Sequence, residues 1–132
     1  MTNRWVLVVD DEPDAREVLC DTLADIGCRA IGAHDGAVAR QTLEATSDLP
    51  CVIVLDLMMP GMNGWDFRAW QRSEPRFAKV PVVVMTAIRD ASAEAARLQV
   101  DDVLQKPVSF PTLLAKVERH CGPCRPPSEG PA

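Results

Sequence analysis

The sequence lacks any long apolar stretch. Its longest uninterrupted runs of large apolar residues are short segments such as WVLVV at 5–9. A membrane-spanning helix needs about 18 or more consecutive apolar residues. The N-terminus also lacks the basic start and apolar segment of a signal peptide. We therefore expect no membrane span and a cytoplasmic location.

Basic residues are fewer than acidic ones, with 14 Lys and Arg against 19 Asp and Glu and a net charge of −5. Binding along a nucleic acid depends on a basic surface that neutralises phosphates. The sequence offers no such excess of positive charge. A direct nucleic-acid partner is therefore not expected.

Paired cysteines are not indicated either, because the chain has an odd number of them, at positions 20, 28, 51, 121 and 124. Disulfide frameworks are typical of small secreted chains with an even count. A reducing compartment fits this pattern. We expect unpaired thiols, including oxidisable Cys121 and Cys124 near the end of the chain.

The 132 residues, of which 47% are hydrophobic and 25% charged, suffice for one globular domain with a single sizeable core. From residue 122 onward the chain is rich in proline and polar residues and has too little apolar surface to pack. The sequence therefore predicts one domain over 1–121 and a disordered tail over 122–132.

Short runs rich in β-branched residues alternate with segments of helical periodicity. Runs without polar alternation, such as WVLVV and CVIVL, are typical of strands buried on both faces of a parallel sheet. Five alternations predict a doubly wound three-layer α/β sandwich with right-handed crossovers. Strands are predicted at 5–9, 29–33, 51–55, 81–85 and 101–105, and helices at 13–26, 36–46, 64–73, 91–98 and 109–121.

Acidic side chains follow two of these strands, at the edge where open parallel sheets bind ligands. Asp10 and Asp11 come after the first strand, and Asp56 comes after the third. Three carboxylates in a small volume repel one another unless a cation neutralises them, and hard oxygen ligands favour Mg²⁺. The sequence therefore predicts a magnesium site at this edge.

Thr86 after the fourth strand and Lys106 after the fifth extend this set. A carboxylate can act as a nucleophile toward phosphorus, and the transfer needs positive charge and hydrogen-bond donors around the phosphoryl oxygens. Each residue alone is equally well explained as a turn or helix-capping residue. Their joint occurrence at the ends of four different strands favours a phosphoryl-transfer site.

The same residues lie in motifs that resemble the response-regulator receiver family. VLVVDDEPDAR, VIVLDLMMPGMNGWDF, VVVMTA and VLQKPVS follow the family's order over residues 5 to about 120. The resemblance implies a flavodoxin-like five-stranded parallel sheet of order 2-1-3-4-5 with five helices. It also implies a signalling phosphoacceptor rather than an enzyme, partnered by a histidine kinase or histidine phosphotransfer protein and by a downstream protein effector.

Roles for the phosphoryl group follow from this resemblance. Asp56 would accept the group, and Lys106 would bind it once it is transferred. Thr86 would turn toward it and act as the switch. The peptide bond between Lys106 and Pro107 would be cis.

The resemblance also implies how the metal is held. Mg²⁺ would be bound by Asp11, by Asp56 and by the backbone carbonyl of Met58. Asp10 would hold a water molecule on the metal. Binding of Mg²⁺ is therefore expected to depend on acidic side chains that follow two strands.

The chain departs from the family three residues before the lysine, where a Tyr or Phe is usual and Val103 stands here. In the family this ring moves inward together with the threonine, so the departure predicts a remodelled output face. It also motivates an alternative, a non-phosphorylated pseudo-receiver acting as a protein-interaction module. The complete set of Asp11, Asp56, Thr86 and Lys106 argues against it, since degenerate members usually lose at least one.

Two further alternatives concern the segment CGPC at 121–124. It matches a thioredoxin redox motif, but reactive motifs of this kind lie at a helix N-terminus, where the helix dipole lowers the thiol pKa. This one follows a predicted helix, which weakens the case for a redox protein acting through Cys121 and Cys124. A zinc site using His120, Cys121 and Cys124 lacks an evident fourth ligand.

Overall fold

Five strands and five helices alternate in the computed structural model, which describes residues 4–100 and 102–122. No helix within these two ranges is long and apolar enough to cross a membrane. The predicted tail lies outside the described residues, apart from Gly122. The elements are β1 Trp5–Val9, α1 Pro13–Asp25, β2 Arg29–Ala33, α2 Gly36–Ala45, β3 Val52–Asp56, α3 Gly64–Ser73, β4 Val82–Thr86, α4 Ala91–Leu98, β5 Asp102–Gln105 and α5 Phe110–Cys121.

The strands form one parallel sheet in the order β2-β1-β3-β4-β5. Val9 at the end of β1 pairs with Ala33 of β2 on one side and Leu55 of β3 on the other, so the carboxyl ends of neighbouring strands are aligned. This alignment collects the residues that follow each strand at a single edge. The prediction of a flavodoxin-like three-layer fold is confirmed.

Apolar side chains fill both sides of the sheet, as expected for strands without polar alternation. On one face α2, α3 and α4 contribute Leu43, Phe67 and Leu98 to a core that also contains Leu7 and Leu55. On the other face α1 and α5 pack against the sheet through side chains that include Leu19, Leu23, Leu113 and Val117. Each helix layer therefore covers one face and leaves the strand ends open.

Local signals set several helix ends as predicted. Pro13 is the first residue of α1, and Gly27 just beyond that helix has a φ of +88°, a left-handed conformation in which glycine carries no steric penalty. The side chain of Ser109 caps α5 by accepting a hydrogen bond from the N–H of Thr112. These caps fix where α1 ends and where α5 begins.

Strands β3 and β4 lie one residue later than predicted. Asp56 pairs with Met85, and Thr86 pairs with Gln105, because the hydrogen-bonded ladder continues one position past the apolar run. Asp56 and Thr86 are therefore the last residues of their strands rather than the first residues of the following loops.

A disulfide joins Cys51, just before β3, to Cys121 at the end of α5. The prediction of an unpaired Cys121 is therefore wrong, and Cys28 is disulfide-bonded as well. The redox and zinc alternatives fail for the same reason, because the Cys121 sulfur is already bonded to a cysteine outside the CGPC segment. Cys124 lies outside the described residues.

Candidate functional site

The ends of β1, β3 and β5 bring four charged side chains together at the carboxyl edge of the sheet. Asp10 and Asp11 follow β1, Asp56 ends β3 and Lys106 follows β5. The N–H of Lys106 donates to the carbonyl of Thr86 at 2.8 Å, which holds the segment after β5 against the end of β4. Every side chain predicted from the sequence to carry charge in the site is therefore at this edge.

The carboxylates of Asp10, Asp11 and Asp56 form a compact cluster. Each offers an oxygen, and these oxygens lie within 4.8 Å of one another. Asp10 is 1% exposed and Asp56 3% exposed, so two of the three charges are shielded from water. Like charges at this separation are unfavourable without a cation, which makes the cluster fit a divalent metal with oxygen ligands.

The ammonium of Lys106 supplies positive charge on one side of the cluster. Its Nζ lies 3.1 Å from Oδ2 of Asp56 and 3.8 Å from Oδ2 of Asp10. Two ion pairs on one side chain fix Lys106 beside the buried carboxylates, where an incoming anion would also meet it.

Backbone donors orient the two buried carboxylates. The N–H of Glu12 donates to Oδ1 of Asp10 at 3.0 Å, and the N–H of Met58 donates to Oδ1 of Asp56 at 3.2 Å. Since Oδ1 of Asp56 accepts from the backbone and Oδ2 from Lys106, both oxygens of this carboxylate have partners. The turns after β1 and β3 thus hold the acids in defined rotamers.

Burial raises the pKa of the Asp56 carboxyl above its ordinary value of 3.8, and the charge of Asp10 adds to the rise, whereas Lys106 and the N–H of Met58 oppose it. Because the folded pKa exceeds the unfolded one, ionised Asp56 costs stability at neutral pH. The cost is relieved as the pH falls through the folded pKa and is gone once both states are protonated. Keeping Asp56 ionised in this site at neutral pH therefore lowers the stability of the fold.

Thr86 is fully buried, and its hydroxyl oxygen accepts a hydrogen bond from the N–H of Ile88 at 3.1 Å. The hydroxyl is thus engaged with the loop that follows β4. Its role as a switch remains a prediction. The prediction of a cis bond between Lys106 and Pro107 is confirmed.

Helix α3 is seated directly on the backbone of the strand that carries Asp56. The N–H of Gly64 donates to the carbonyl of Leu57 at 3.0 Å, and a Cβ at Gly64 would lie 2.6 Å from Cα of Leu57 and 2.7 Å from the carbonyl oxygen of Asp56. Real Cβ atoms essentially never come this close to backbone, so the position requires glycine. Sequence reasoning assigned this glycine no role, because the approach depends on the tertiary fold.

Helix α4 is fixed by contacts with α3 that the sequence did not indicate. The indole N–H of Trp65 donates to Oε1 of Glu94 at 2.8 Å, and Glu94 is only 6% exposed. At the other end of α4, the buried guanidinium of Arg68 donates to the carbonyls of Leu98 and Gln99. The remodelled output face expected from Val103 stays a prediction.

The parallel sheet with three acidic side chains and a lysine at its carboxyl edge places the chain among doubly wound α/β proteins whose charged site lies at the strand ends. A family model described as the response regulator receiver domain matches residues 6–118. The chain belongs to this family, whose members are the receiver domains of two-component systems.

Relatives and solved structures agree with this assignment. The transcriptional regulatory protein GltR of Pseudomonas aeruginosa is 33% identical over 117 residues, which are 87% of this chain but 48% of GltR. The chain therefore spans about half the length of that relative.

Two solved structures share the fold over nearly their whole length. A response regulator receiver protein from Pseudomonas putida has a TM-score of 0.82 and 30% identity, covering 90% of this chain and 98% of that one. The response regulator TrrA of Thermotoga maritima, solved in complex with Mg²⁺-BeF, has a TM-score of 0.76 and 26% identity, covering 88% and 97%.

Proposed function

We propose that this chain is a phospho-accepting receiver, which takes a phosphoryl group on Asp56 from a phosphohistidine donor in the cytoplasm. The observation that carries the proposal is the Lys106 ammonium 3.1 Å from a buried Asp56 carboxylate, which belongs to a cluster of three acids. A histidine kinase or a histidine phosphotransfer protein would supply the phosphoryl group.

The chemistry asked of Asp56 is nucleophilic. One carboxylate oxygen attacks phosphorus, the bond between phosphorus and the donor histidine nitrogen breaks, and an acyl phosphate forms on the aspartate. Lys106 is placed to compensate charge on the phosphoryl oxygens, since its Nζ already lies beside Oδ2 of Asp56. The N–H of Met58 keeps the other carboxylate oxygen in place during the attack.

The donor set at this site fits Mg²⁺, a hard cation that prefers carboxylate and carbonyl oxygens. Asp11, Asp56 and the backbone carbonyl of Met58 would hold the ion, and Asp10 would hold one of its waters. When bound, the metal neutralises negative charge on the carboxylates and the phosphoryl oxygens. TrrA, which has the same fold, was solved in complex with Mg²⁺-BeF, and this supports Mg²⁺ as the metal here.

An apolar groove beside the acids supports a protein donor. It has a volume of about 370 Å³ and runs between α1 and the start of α5, from Asp10 and Lys106 to Val18 and Phe110. Val18 is 46% exposed and Phe110 40% exposed. Exposed apolar side chains next to a charged site offer contact area to a partner that must bring a histidine to Asp56.

The direct test is incubation with acetyl phosphate and Mg²⁺ followed by intact mass spectrometry. We expect one added phosphoryl group in the wild type, none when the metal is chelated, and none in Asp56→Asn. Absence of uptake by folded wild-type protein in Mg²⁺ would overturn the proposal and favour a pseudo-receiver that acts by binding alone.

Metal binding is expected to depend on the acid cluster. Asp11→Ala should weaken Mg²⁺ binding by about tenfold or more, because it removes a carboxylate from the ligand set. Asp14→Ala is the matched control, since it removes an exposed carboxylate of α1 outside the cluster. Calorimetric titration measures both variants, and equal affinities for Asp11→Ala and wild type would show that the ligand set is wrong.

The phosphorylated state is expected to be long-lived, because Met58 and Ile88 offer no hydrogen bond to an attacking water. They stand two residues after Asp56 and Thr86, and the Met58 side chain is 57% exposed at the mouth of the site. Met58→Asn combined with Ile88→Glu should speed loss of phosphate by about tenfold or more, since polar groups there can orient water. The measurement is the decay of the phosphorylated mass after donor removal.

Leu49→Asn serves as the control for this double variant. Leu49 is also an exposed apolar residue, but it precedes β3 at the opposite end of the sheet from Asp56. Its decay rate should match the wild type. Equal or slower decay in the double variant would rule out the proposed effect of the two apolar side chains.

A further inference from the structure

The cross-link between Cys51 and Cys121 connects the sheet, next to the strand that carries Asp56, to the helix layer formed by α1 and α5. Cys51 lies directly before β3, whose last residue is Asp56, and Cys121 is the last residue of α5. Their Cα atoms are 5.2 Å apart, within the range that a disulfide can span without moving the backbone. The bond therefore attaches the C-terminal end of α5 to the amino end of the central sheet.

The fold does not depend on this bond. Buried apolar cores lie on both faces of the sheet, and a domain of this size does not need covalent staples. The end of α5 also has non-covalent anchors. Lys116 and His120 lie 3.0 and 3.7 Å from the carboxylate of Asp102, and Arg4 donates to the carbonyl of Cys121 at 2.7 Å. The dithiol form should therefore stay folded.

The two cysteines differ in exposure. Cys51 is partly exposed, whereas Cys121 is 6% exposed and packs in the core shared by α1 and α5. Small thiols and disulfides can reach a sulfur only from its solvent side. Thiol–disulfide exchange therefore begins at Cys51. Cys121 closes the disulfide during oxidation and is the leaving thiolate during reduction.

We propose that Cys51 and Cys121 are a reversible thiol–disulfide couple, a redox-sensitive modification site that controls how firmly α5 is held to the sheet. This inference rests on the proposed cytoplasmic function, because a disulfide in that compartment is usually transient, whereas in an oxidising compartment the same bond would persist. The pair thus adds a second input to a domain that also receives a phosphoryl group.

The exchange is balanced with a low-molecular-weight disulfide as oxidant. The Cys51 thiolate attacks one oxidant sulfur, forms a mixed disulfide and releases one small thiolate. The Cys121 thiolate then attacks the Cys51 sulfur and displaces the second. The two cysteines lose two electrons and two protons in total, and the oxidant is reduced to two thiols.

Helix α5 connects the disulfide to the phosphoryl-binding site. This helix begins three residues after Pro107, in the segment that follows Lys106, and its other end carries the cross-link. Oxidation fixes that end to the sheet covalently, whereas reduction leaves it held by the ion pairs to Asp102, the Arg4 hydrogen bond and apolar packing. Amide hydrogens in the last turns of α5 should therefore exchange faster in the reduced protein.

Cys20 provides a matched control, because it is a free, half-buried thiol on α1. Burial raises the pKa of the Cys20 thiol, and Asp21 adds to the rise while Arg16 opposes it. The thiol is therefore a poor nucleophile at neutral pH and should not exchange into the bond. Cys20→Ala should leave the behaviour of the Cys51–Cys121 pair unchanged.

The experiment equilibrates folded protein in oxidised and in reduced glutathione, alkylates free thiols and identifies linked peptides by mass spectrometry. We expect the peptide carrying Cys51 to be linked to that carrying Cys121 only under oxidation. The oxidised protein should melt at a temperature higher by roughly 10 °C. In Cys51→Ala, any remaining difference in melting temperature between oxidised and reduced protein belongs to the Cys28 disulfide. The wild-type difference minus that of Cys51→Ala therefore measures the Cys51–Cys121 bond.

A linkage that never forms, or one that survives reduced glutathione in the folded protein, would overturn the inference. Phosphoryl uptake from acetyl phosphate is followed in the same samples. Uptake without the linkage counts against the redox site alone. Reversible linkage without uptake supports the redox site and counts against the proposed function.

Discussion

Gly64→Ala is expected to destabilise the protein by about 2–3 kcal/mol or more, because the new Cβ has no space. It would lie 2.6 Å from Cα of Leu57 and 2.7 Å from the carbonyl oxygen of Asp56, both backbone atoms that cannot rotate away. Either α3 lifts from the strand or the peptide of Asp56 moves. Urea unfolding measures the first effect, and Mg²⁺ affinity reports the second.

Gly61→Ala separates this steric clash from the general cost of replacing a glycine. A Cβ at Gly61 meets nothing within 4 Å, but the residue has a φ of +70°. Its substitution should cost about 1 kcal/mol through backbone conformation alone and leave Mg²⁺ affinity unchanged. If Gly64→Ala were as stable as Gly61→Ala, the close seating of α3 on the Asp56 backbone would be incorrect.

Lys106→Ala is expected to leave phosphoryl uptake possible but to remove most of the conformational response to it. The lysine is the charged group that links Asp56 to the segment after β5, through its ion pair at Nζ and its N–H bond to the carbonyl of Thr86. Without the ammonium, a phosphoryl group on Asp56 loses its positively charged partner on that segment. Phosphorylation then cannot shift β5 and α5 through an ion pair.

Amide NMR spectra recorded before and after phosphorylation measure this response. In the wild type we expect shifts that extend from Asp56 into the segment after β5 and into α5. In Lys106→Ala the shifts should stay near Asp56, while Lys79→Ala, which removes an exposed lysine at the opposite end of β4, should respond like the wild type. A response of wild-type extent in Lys106→Ala would contradict the assigned role.

The order of elements could be predicted because local signals agree with the fold. The apolar runs at β1, β3 and β4 are typical of buried strands of a parallel sheet, and Pro13 and Ser109 mark helix starts by their own chemistry. The ends of β3 and β4 could not be predicted as accurately from the sequence. Polar Asp56 and Thr86 continue the ladders, which depends on neighbouring strands rather than on their own propensity.

The charged site could be predicted for a similar reason. Once the sheet is parallel, Asp10, Asp56 and Lys106 lie at the same edge, because each stands at the carboxyl end of a strand. What the sequence could not provide is how other polar side chains are paired. Glu94 on α4 lies on a helix with few large apolar anchors, and only the fold brings the Trp65 indole to it.

The cysteine prediction failed because the pairing is long-range. Cys51 and Cys121 are 70 residues apart, and nothing near either residue indicates the other. An odd count is compatible with disulfides as long as one thiol remains, and Cys20 is free. The parity of the count therefore carried less information than the packing of α5 against β3.

The central claim is that Asp56 itself carries the phosphoryl group, and chemical trapping of the modified residue tests it most directly. Borohydride reduces an acyl phosphate on aspartate to homoserine, which peptide mapping then locates. We predict homoserine at position 56 alone after treatment with acetyl phosphate and Mg²⁺, and none when the metal is omitted. Homoserine at Asp10 or Asp11 instead, or phosphorylated protein without homoserine at position 56, would contradict the account.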